Sequence, residues 1–394
     1  MRTNELRALV ALVALFACGT ALAGSKADIV VMTQNQYLGA ELTPIIAAED
    51  PATANAAMIT ALTALSNNNY LERVEALAGS IRGKKPHLVA LQEVYAFHCH
   101  NPFGTEVPLG RDACELFPNA FNDHLAETMA ALGDKYEVAA VVQNLTLAQP
   151  ALPILGIPLI LDEAQMPVFI EVIDRDVILA RADVDTAVVT FDCGFKPSVD
   201  GCNYMNVAPA SVGPFDFNIE RGFVGVDATI GGVDYRFINT HLEVKMLGDS
   251  LPSTFLQPAQ ASELWGAILA TFDPSKRLIV AGDFNSSPVD VSPIGVVTAY
   301  QQLTSGQSIF GDDLPFRFTD TWYLRPGKPP GFTCCELADL SNAPSQHYER
   351  IDFVLTFPAP SKVKANVLGD EVDEKTLSGL WPSDHASVSA ELTY

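Results

Sequence analysis

The chain has 394 residues, an apolar fraction of 48% and a formal net charge of −23 at neutral pH. That apolar fraction supports a large packed core and excludes global disorder. The length suits one large domain or two small ones, and no repeat with a period of 20–50 residues points to a solenoid or propeller. The charge weakens the case for broad electrostatic binding to nucleic acid, and a bound cation can reverse the field at a single site.

Residues 1–23 read as an export signal. Arg2 and Arg7 flank the start, an apolar run follows, and Ala21-Leu22-Ala23 before Gly24 resembles a small-residue cleavage site. A membrane anchor is the alternative, but the run is short for a span of ~20 residues. Leu15-Phe16-Ala17-Cys18 also loosely resembles a lipoprotein cleavage site, which would lipidate Cys18. The expectation is a secreted or periplasmic protein with one domain over residues 24–394. Export makes disulfides the expected state of the remaining cysteines. Cys99–Cys114 and Cys193–Cys202 are natural local pairs, while the adjacent Cys334 and Cys335 leave other connectivities open. No CxxC spacing supports a zinc site.

The predicted elements alternate strands and helices. Asp28–Thr33 is a short apolar strand. A long Ala-rich helical region follows Pro51, with Leu71, Val74, Ala78 and Ile81 on one face and Gly83 as a stop. His87–Val94 is a buried strand, and Phe121, Leu125, Met129 and Leu132 outline a helix closed by Gly133. Tyr136–Val142, Asp176–Arg181 and Thr186–Phe191 read as strands. Gly222–Ile230 and Asp234–Thr240 read as a hairpin around Gly231-Gly232. Ala259–Thr271 is helical, and strands at Arg277–Asp283, Arg350–Thr356 and Ala386–Leu392 complete the series. Two groups of helices between groups of strands imply an α/β sandwich with face-to-face sheets and helices outside. The segment Leu147–Ile170 is apolar, Pro-rich and aperiodic. It reads as a loop over the core or as an exposed apolar lip able to meet a lipid surface.

Polar residues collect where these apolar strands end. Asn35 closes the first strand, and Gln92 and Glu93 the second. Asn239 and His241 close a third, Asp283 and Asn285 a fourth; Asp352 lies in a fifth, and Asp384 and His385 precede the last. One such residue is ordinarily a solvated rim group or a cap. Six strand ends that add carboxylates, amides and imidazoles, with few Lys or Arg, suggest a catalytic centre held by rigid backbone. Asp174 and Asp176 flank a strand start and read as turn and cap residues.

The ordered series TQN (Thr33–Asn35), LQEV (Leu91–Val94), NTHL (Asn239–Leu242), GDFNSSP (Gly282–Pro288), RIDFV (Arg350–Val354) and SDHASV (Ser383–Val388) resembles the endonuclease/exonuclease/phosphatase superfamily, the DNase I-like group. The match spans Asp28 to Leu392. The resemblance implies a four-layer α/β sandwich of two mixed β-sheets flanked by helices, with the site at one edge. It implies hydrolysis of a phosphoester with a divalent cation, Mg²⁺ first and Mn²⁺ or Ca²⁺ as substitutes. Glu93 is then the first metal ligand, Asn35 orients it, and Asp384 is a further metal contact. His385 and Asp283 compete as the group that activates water, Asp352 holds the second nitrogen of His385, and Asn285 and His241 bind the phosphate. Many relatives carry an acidic residue two positions after the Asn; here that position is Tyr37. The substrate is open among a lipid headgroup, a nucleic acid and a small phosphate ester. Membrane contact would run through residues 147–170, the chain would act as a monomer, and a non-catalytic binding module on the same fold is the rival of a different class.

Overall fold

The computed structural model describes residues 28–101, 113–147, 157–160, 167–212, 215–245, 251–292, 294–327 and 329–394. The export segment and Cys18 lie outside them. In chain order the principal elements are β1 (Ile29–Asn35), α1 (Pro51–Asn68), α2 (Tyr70–Lys84), β2 (Leu88–Gln92), β3 (Ala96–His100), α3 (His124–Leu132), β4 (Tyr136–Leu147) and β5 (Val168–Arg181). They continue with β6 (Gly222–Ile230), β7 (Val233–His241), α4 (Leu251–Ala270), β8 (Arg277–Asp283), α5 (Ala299–Ser305), β9 (Asp352–Phe357), β10 (Lys362–Leu368) and β11 (Ser387–Thr393).

Two eight-stranded mixed sheets form. One runs β10–β11–β1–β2–β5–β3 with β4 on β5; the other is built around β9–β8–β7–β6. The period-two alternation of the strands explains the layering. Val31, Leu88, Ala90, Ile279 and Ala281 point into the core between the sheets. Their neighbours Met32, Val89 and Leu91 face Ala78 and Ile81 of α2 and Leu132 of α3. On the other side Leu278 and Val280 face Ala261, Leu264 and Trp265 of α4 and Leu303 of α5. The result is the expected four-layer sandwich, helix–sheet–sheet–helix.

Several boundaries differ from the sequence reading. The helical region after Pro51 breaks at Asn69, whose φ of +36° is left-handed; Asn tolerates that conformation better than most residues. The break rotates the buried face of α2 to Tyr70, Arg73, Val74, Leu77, Ala78 and Ile81, and leaves Leu71 exposed. Phe121 precedes α3, which Asp123 caps by accepting from the Leu125 and Ala126 amides. The predicted strand at Thr186–Phe191 shortens to Thr186–Val188. The helix predicted at Ala259 starts earlier and runs through Pro258. The described ends of the Leu147–Ile170 segment are not a loop: Ile157–Leu159 pairs antiparallel with Val168–Ile170, and Leu159, Val168 and Ile170 are buried. Residues 148–156 and 161–166, which hold the rest of that segment, lie outside the described residues. Cysteine pairs Cys99–Cys114, Cys193–Cys202 and Cys334–Cys335 are all bonded.

Candidate active site

Strand register assembles the site. Parallel pairing of β7 with β8 sets His241 opposite Asp283, and antiparallel pairing of β8 with β9 sets Asp283 opposite Asp352. Paired residues share a sheet face, so three polar side chains stand in one row. The row needs Gly282: a Cβ there would meet the Thr240 carbonyl oxygen at 1.9 Å, and its φ is +151°. From the facing sheet, Asn35 at the end of β1 reaches across and donates from Nδ2 to Asp283 Oδ2 at 3.1 Å and to Glu93 Oε1 at 3.1 Å. Glu93 turns out of β2 with φ +55° and accepts from the Leu38 amide at 3.0 Å through its second oxygen. The sheets are tied beneath the site by motif residues that never reach it. Gln92 donates to Asn239 Oδ1 at 2.7 Å, and Asn239 donates to the Leu91 and Val177 carbonyls.

His385 joins from the loop before β11. Its Nδ1 lies 2.9 Å from Asp352 Oδ2 and 3.8 Å from Asp283 Oδ2. Burial alone would lower its pKa, but Asp352, Asp384 and Asp283 outweigh burial and hold it well above the usual histidine value. These carboxylates favour the charged form of the ring. Asp283 is pushed up to about 7 by burial and then by Asp352, against His385 and the hydrogen bonds it accepts from the Asn285 amide and Asn35. Half-buried Asp384 is pushed up to about 7, by burial first, with Glu93 adding to the rise against the opposing charge of His385.

His241 is fully buried and is held neutral by burial, by Arg221 and by His385. Arg221 approaches its Nδ1 at 3.3 Å. A guanidinium only donates, and the Asn285 amide nitrogen also only donates, so the two compete for the single acceptor nitrogen of the neutral ring, Arg221 at Nδ1 and Asn285 at Nε2. That nitrogen faces Asp283 Oδ2 at 3.5 Å and Asn285 Nδ2 at 3.2 Å. Asn285 also donates to the Leu242 carbonyl at 2.9 Å. All eight residues expected from the sequence (Asn35, Glu93, His241, Asp283, Asn285, Asp352, Asp384 and His385) thus meet in one region, and six of them line a single cavity: Glu93, His241, Asp283, Asn285, Asp384 and His385.

The sequence reading of Asp174 and Asp176 as turn and cap residues is wrong. Both lie inside β5 and are buried. Asp174 Oδ2 is 3.4 Å from Arg221, and Asp176 Oδ1 is 3.9 Å from His241 Nδ1. Burial raises both carboxyls. Arg221 and Glu243, 3.6 Å apart, complete this inner layer and were not anticipated. The signal was present: Asp174 and Asp176 alternate on one strand face, and Glu243 follows His241 by two positions. Asn144 is buried and donates from Nδ2 to Asp176 Oδ2 at 2.8 Å.

Glu93, Asp384 and the cavity-lining Glu41 supply hard oxygen donors, which suit a divalent cation such as Mg²⁺. Close enough for Glu93 to raise Asp384, the first two carboxylates form a pair that a cation would relieve. Asn35 has its amide on two carboxylates and its oxygen on the Tyr37 amide, so it orients Glu93. The donor chemistry fits such an ion; among the described residues the groups whose ligand atoms lie within 4.8 Å of one another are Asp283, Asp352 and His385, and Cys334, Cys335 and His385.

No family model matches the chain, and no curated protein matches it. Solved structures similar to it include truncated TDP2 from Caenorhabditis elegans, at 15% identity and TM-score 0.47 over 93% of this chain and 97% of that one. An endonuclease/exonuclease/phosphatase family protein from Leptotrichia buccalis is similar at 15% identity and TM-score 0.46, over 93% and 100% of the two chains. Mannosyl-6-phosphatase from Bacteroides thetaiotaomicron is similar at 14% identity and TM-score 0.48, again over 93% and 100%.

Proposed function

We propose that the chain is a metal-dependent phosphoesterase of the endonuclease/exonuclease/phosphatase type, acting most readily as a phosphodiesterase. The observation that supports this reading is the row His241–Asp283–Asp352 set by strand register, with His385 hydrogen-bonded to Asp352 and with Asn35 and Glu93 facing it from the other sheet. A phosphodiester is anionic and repels nucleophiles, so hydrolysis needs positive charge on the phosphate oxygens and a base for water.

Asp283 is the base. Its carboxyl, raised to about 7, matches the pKa a general base needs near neutral pH. His385, charged and fixed at Nδ1 by Asp352, offers its Nε2 proton to a phosphate oxygen. Neutral His241 and the Asn285 amide reach the site without adding negative charge. Glu93 and Asp384, with Asn35 as orienter, would hold a divalent cation, which when bound neutralises charge on the phosphate and helps the leaving oxygen. Three disulfides suit an oxidising compartment, which supports export of a mature chain starting near Gly24.

Release of nitrophenol from bis-nitrophenyl phosphate by purified protein, with Mg²⁺ and then with chelator, tests the proposal. Turnover that the chelator abolishes is the expected result. Absence of turnover on a panel of DNA, RNA, sphingomyelin, inositol phosphates and sugar phosphates would leave a binding module on the same fold.

A further inference from the structure

We infer that this site takes phosphoesters carrying an uncharged alkyl or acyl chain, and that the chain is buried inside the protein. The inference rests on the phosphoesterase reading above and names its substrate class. One cavity of about 370 Å³ contains the reactive groups, and its walls change character along their extent. Glu93, Asp283 and His385 line one part. Much of the rest is apolar and includes Met58, Leu62 and Leu65 of α1, Phe97 of β3, and Ile170 and Val172 of β5. Those six residues are buried and belong to one apolar cluster.

Protein interiors are close-packed, so apolar space that opens onto a polar centre is room for a ligand. The volume lies within the ~300–1,000 Å³ typical of small-molecule sites. None of these six side chains carries an N–H or O–H group; the hydroxyls on the same lining are those of Tyr37, Thr43 and Tyr95, and that of Tyr37 already donates to the Ala338 carbonyl. A sugar or nucleobase placed there would lose hydrogen bonds to water and regain few, and ordered water would find few partners.

Charge narrows the choice further. Among the described lining residues the single Lys or Arg is Arg221, and it is engaged by Asp174, Glu243 and His241. Glu41, Glu93, Glu243, Asp283 and Asp384 line the same space. A second phosphate, as in a polynucleotide or an inositol polyphosphate, would meet carboxylates with no free Lys or Arg among the described lining residues to receive it. One phosphate with an apolar arm meets neither obstacle.

The test is a homologous series of alkyl nitrophenyl phosphate diesters, methyl, butyl and octyl, kept below the concentration at which the octyl ester aggregates. In the Mg²⁺-loaded protein kcat/KM should rise roughly fourfold per added methylene until the cavity is full. Leu62→Trp, which fills the apolar part, should flatten the series; if that variant does not fold, the wild-type series decides alone. Calorimetric titration with methyl, butyl and octyl phosphate reads the same dependence without turnover, as affinity that tightens with chain length. A flat series, or a rise only once the ester aggregates, overturns the inference and leaves the phosphoesterase reading intact. Failure of every ester to react overturns that reading instead, and the calorimetric series still decides whether an apolar chain is bound.

Discussion

Asp352 faces no reacting atom on the proposed path and acts only through His385, whose Nδ1 it holds at 2.9 Å. Asp283 and His385 are different: each is placed to touch water or phosphate. Oriented polar groups of that kind typically carry ~3–4 kcal/mol of transition-state stabilisation. His385→Ala and Asp283→Asn should therefore each lower kcat by two to three orders of magnitude, roughly the rate equivalent of those energies. Asp352→Asn should cost less than His385→Ala, and the double variant should cost about as much as His385→Ala alone, because the two residues act as one unit. Steady-state kinetics on a diester substrate would measure this. Additive losses would place Asp352 in the chemistry directly, and a near-normal rate for Asp283→Asn would remove it as the base.

Elements were legible where one local rule governs them. The continuous apolar runs of β1, β2 and β8 foretold both the strands and the polar residues at their ends, which is why the residues singled out there stand close together. What stayed hidden needed partners far away in sequence. Asp174 and Asp176 look like turn residues until Arg221, brought in by the loop before β6, stands beside them. The same long-range logic holds Asp227 on β6. It accepts from Arg236 of β7 through both oxygens, at 2.8 and 2.9 Å, and from Lys276 at 2.6 Å. Burial would raise the Asp227 carboxyl, but the hydrogen bonds from Arg236 and Lys276 win and lower it. Asp227→Ala should cost about 2 kcal/mol at neutral pH, within the range for hydrogen bonds to charged groups. Because the folded-state pKa lies below that of the unfolded chain, this stabilisation is present above about pH 4 and is lost as pH falls through the folded value. Urea unfolding at neutral pH and near pH 3 should show the wild-type advantage shrinking in acid. An advantage that grows in acid would refute the assignment.

At the scale of the molecule, the site joins the two ends of the described chain: Asn35 ends the first strand and His385 precedes the last. Arg73 of α2 links those ends. Its guanidinium is buried and donates to the carbonyls of Asn68 at 3.0 Å, Gln36 at 2.9 Å, Pro382 at 2.9 Å and Tyr37 at 3.1 Å. Gln36 adjoins Asn35, and Pro382 begins the turn into Asp384 and His385. Ser383 closes the same junction by donating to the Asn35 carbonyl at 2.8 Å. A buried carbonyl left without a donor costs ~1–3 kcal/mol, so Arg73→Leu should destabilise the fold by at least ~3 kcal/mol. Arg73→Lys separates geometry from charge. An ammonium offers three donors from one point where the planar fork reaches four acceptors in different directions. We expect Arg73→Lys to fold with a lowered denaturation midpoint and to turn over substrate more slowly per folded molecule, since a small misplacement of His385 against Asp283 is enough to cost about 100-fold. Midpoint and rate measured on the same preparation decide the matter. An unchanged midpoint with an unchanged rate would mean that the two ends of the chain hold their register without the guanidinium.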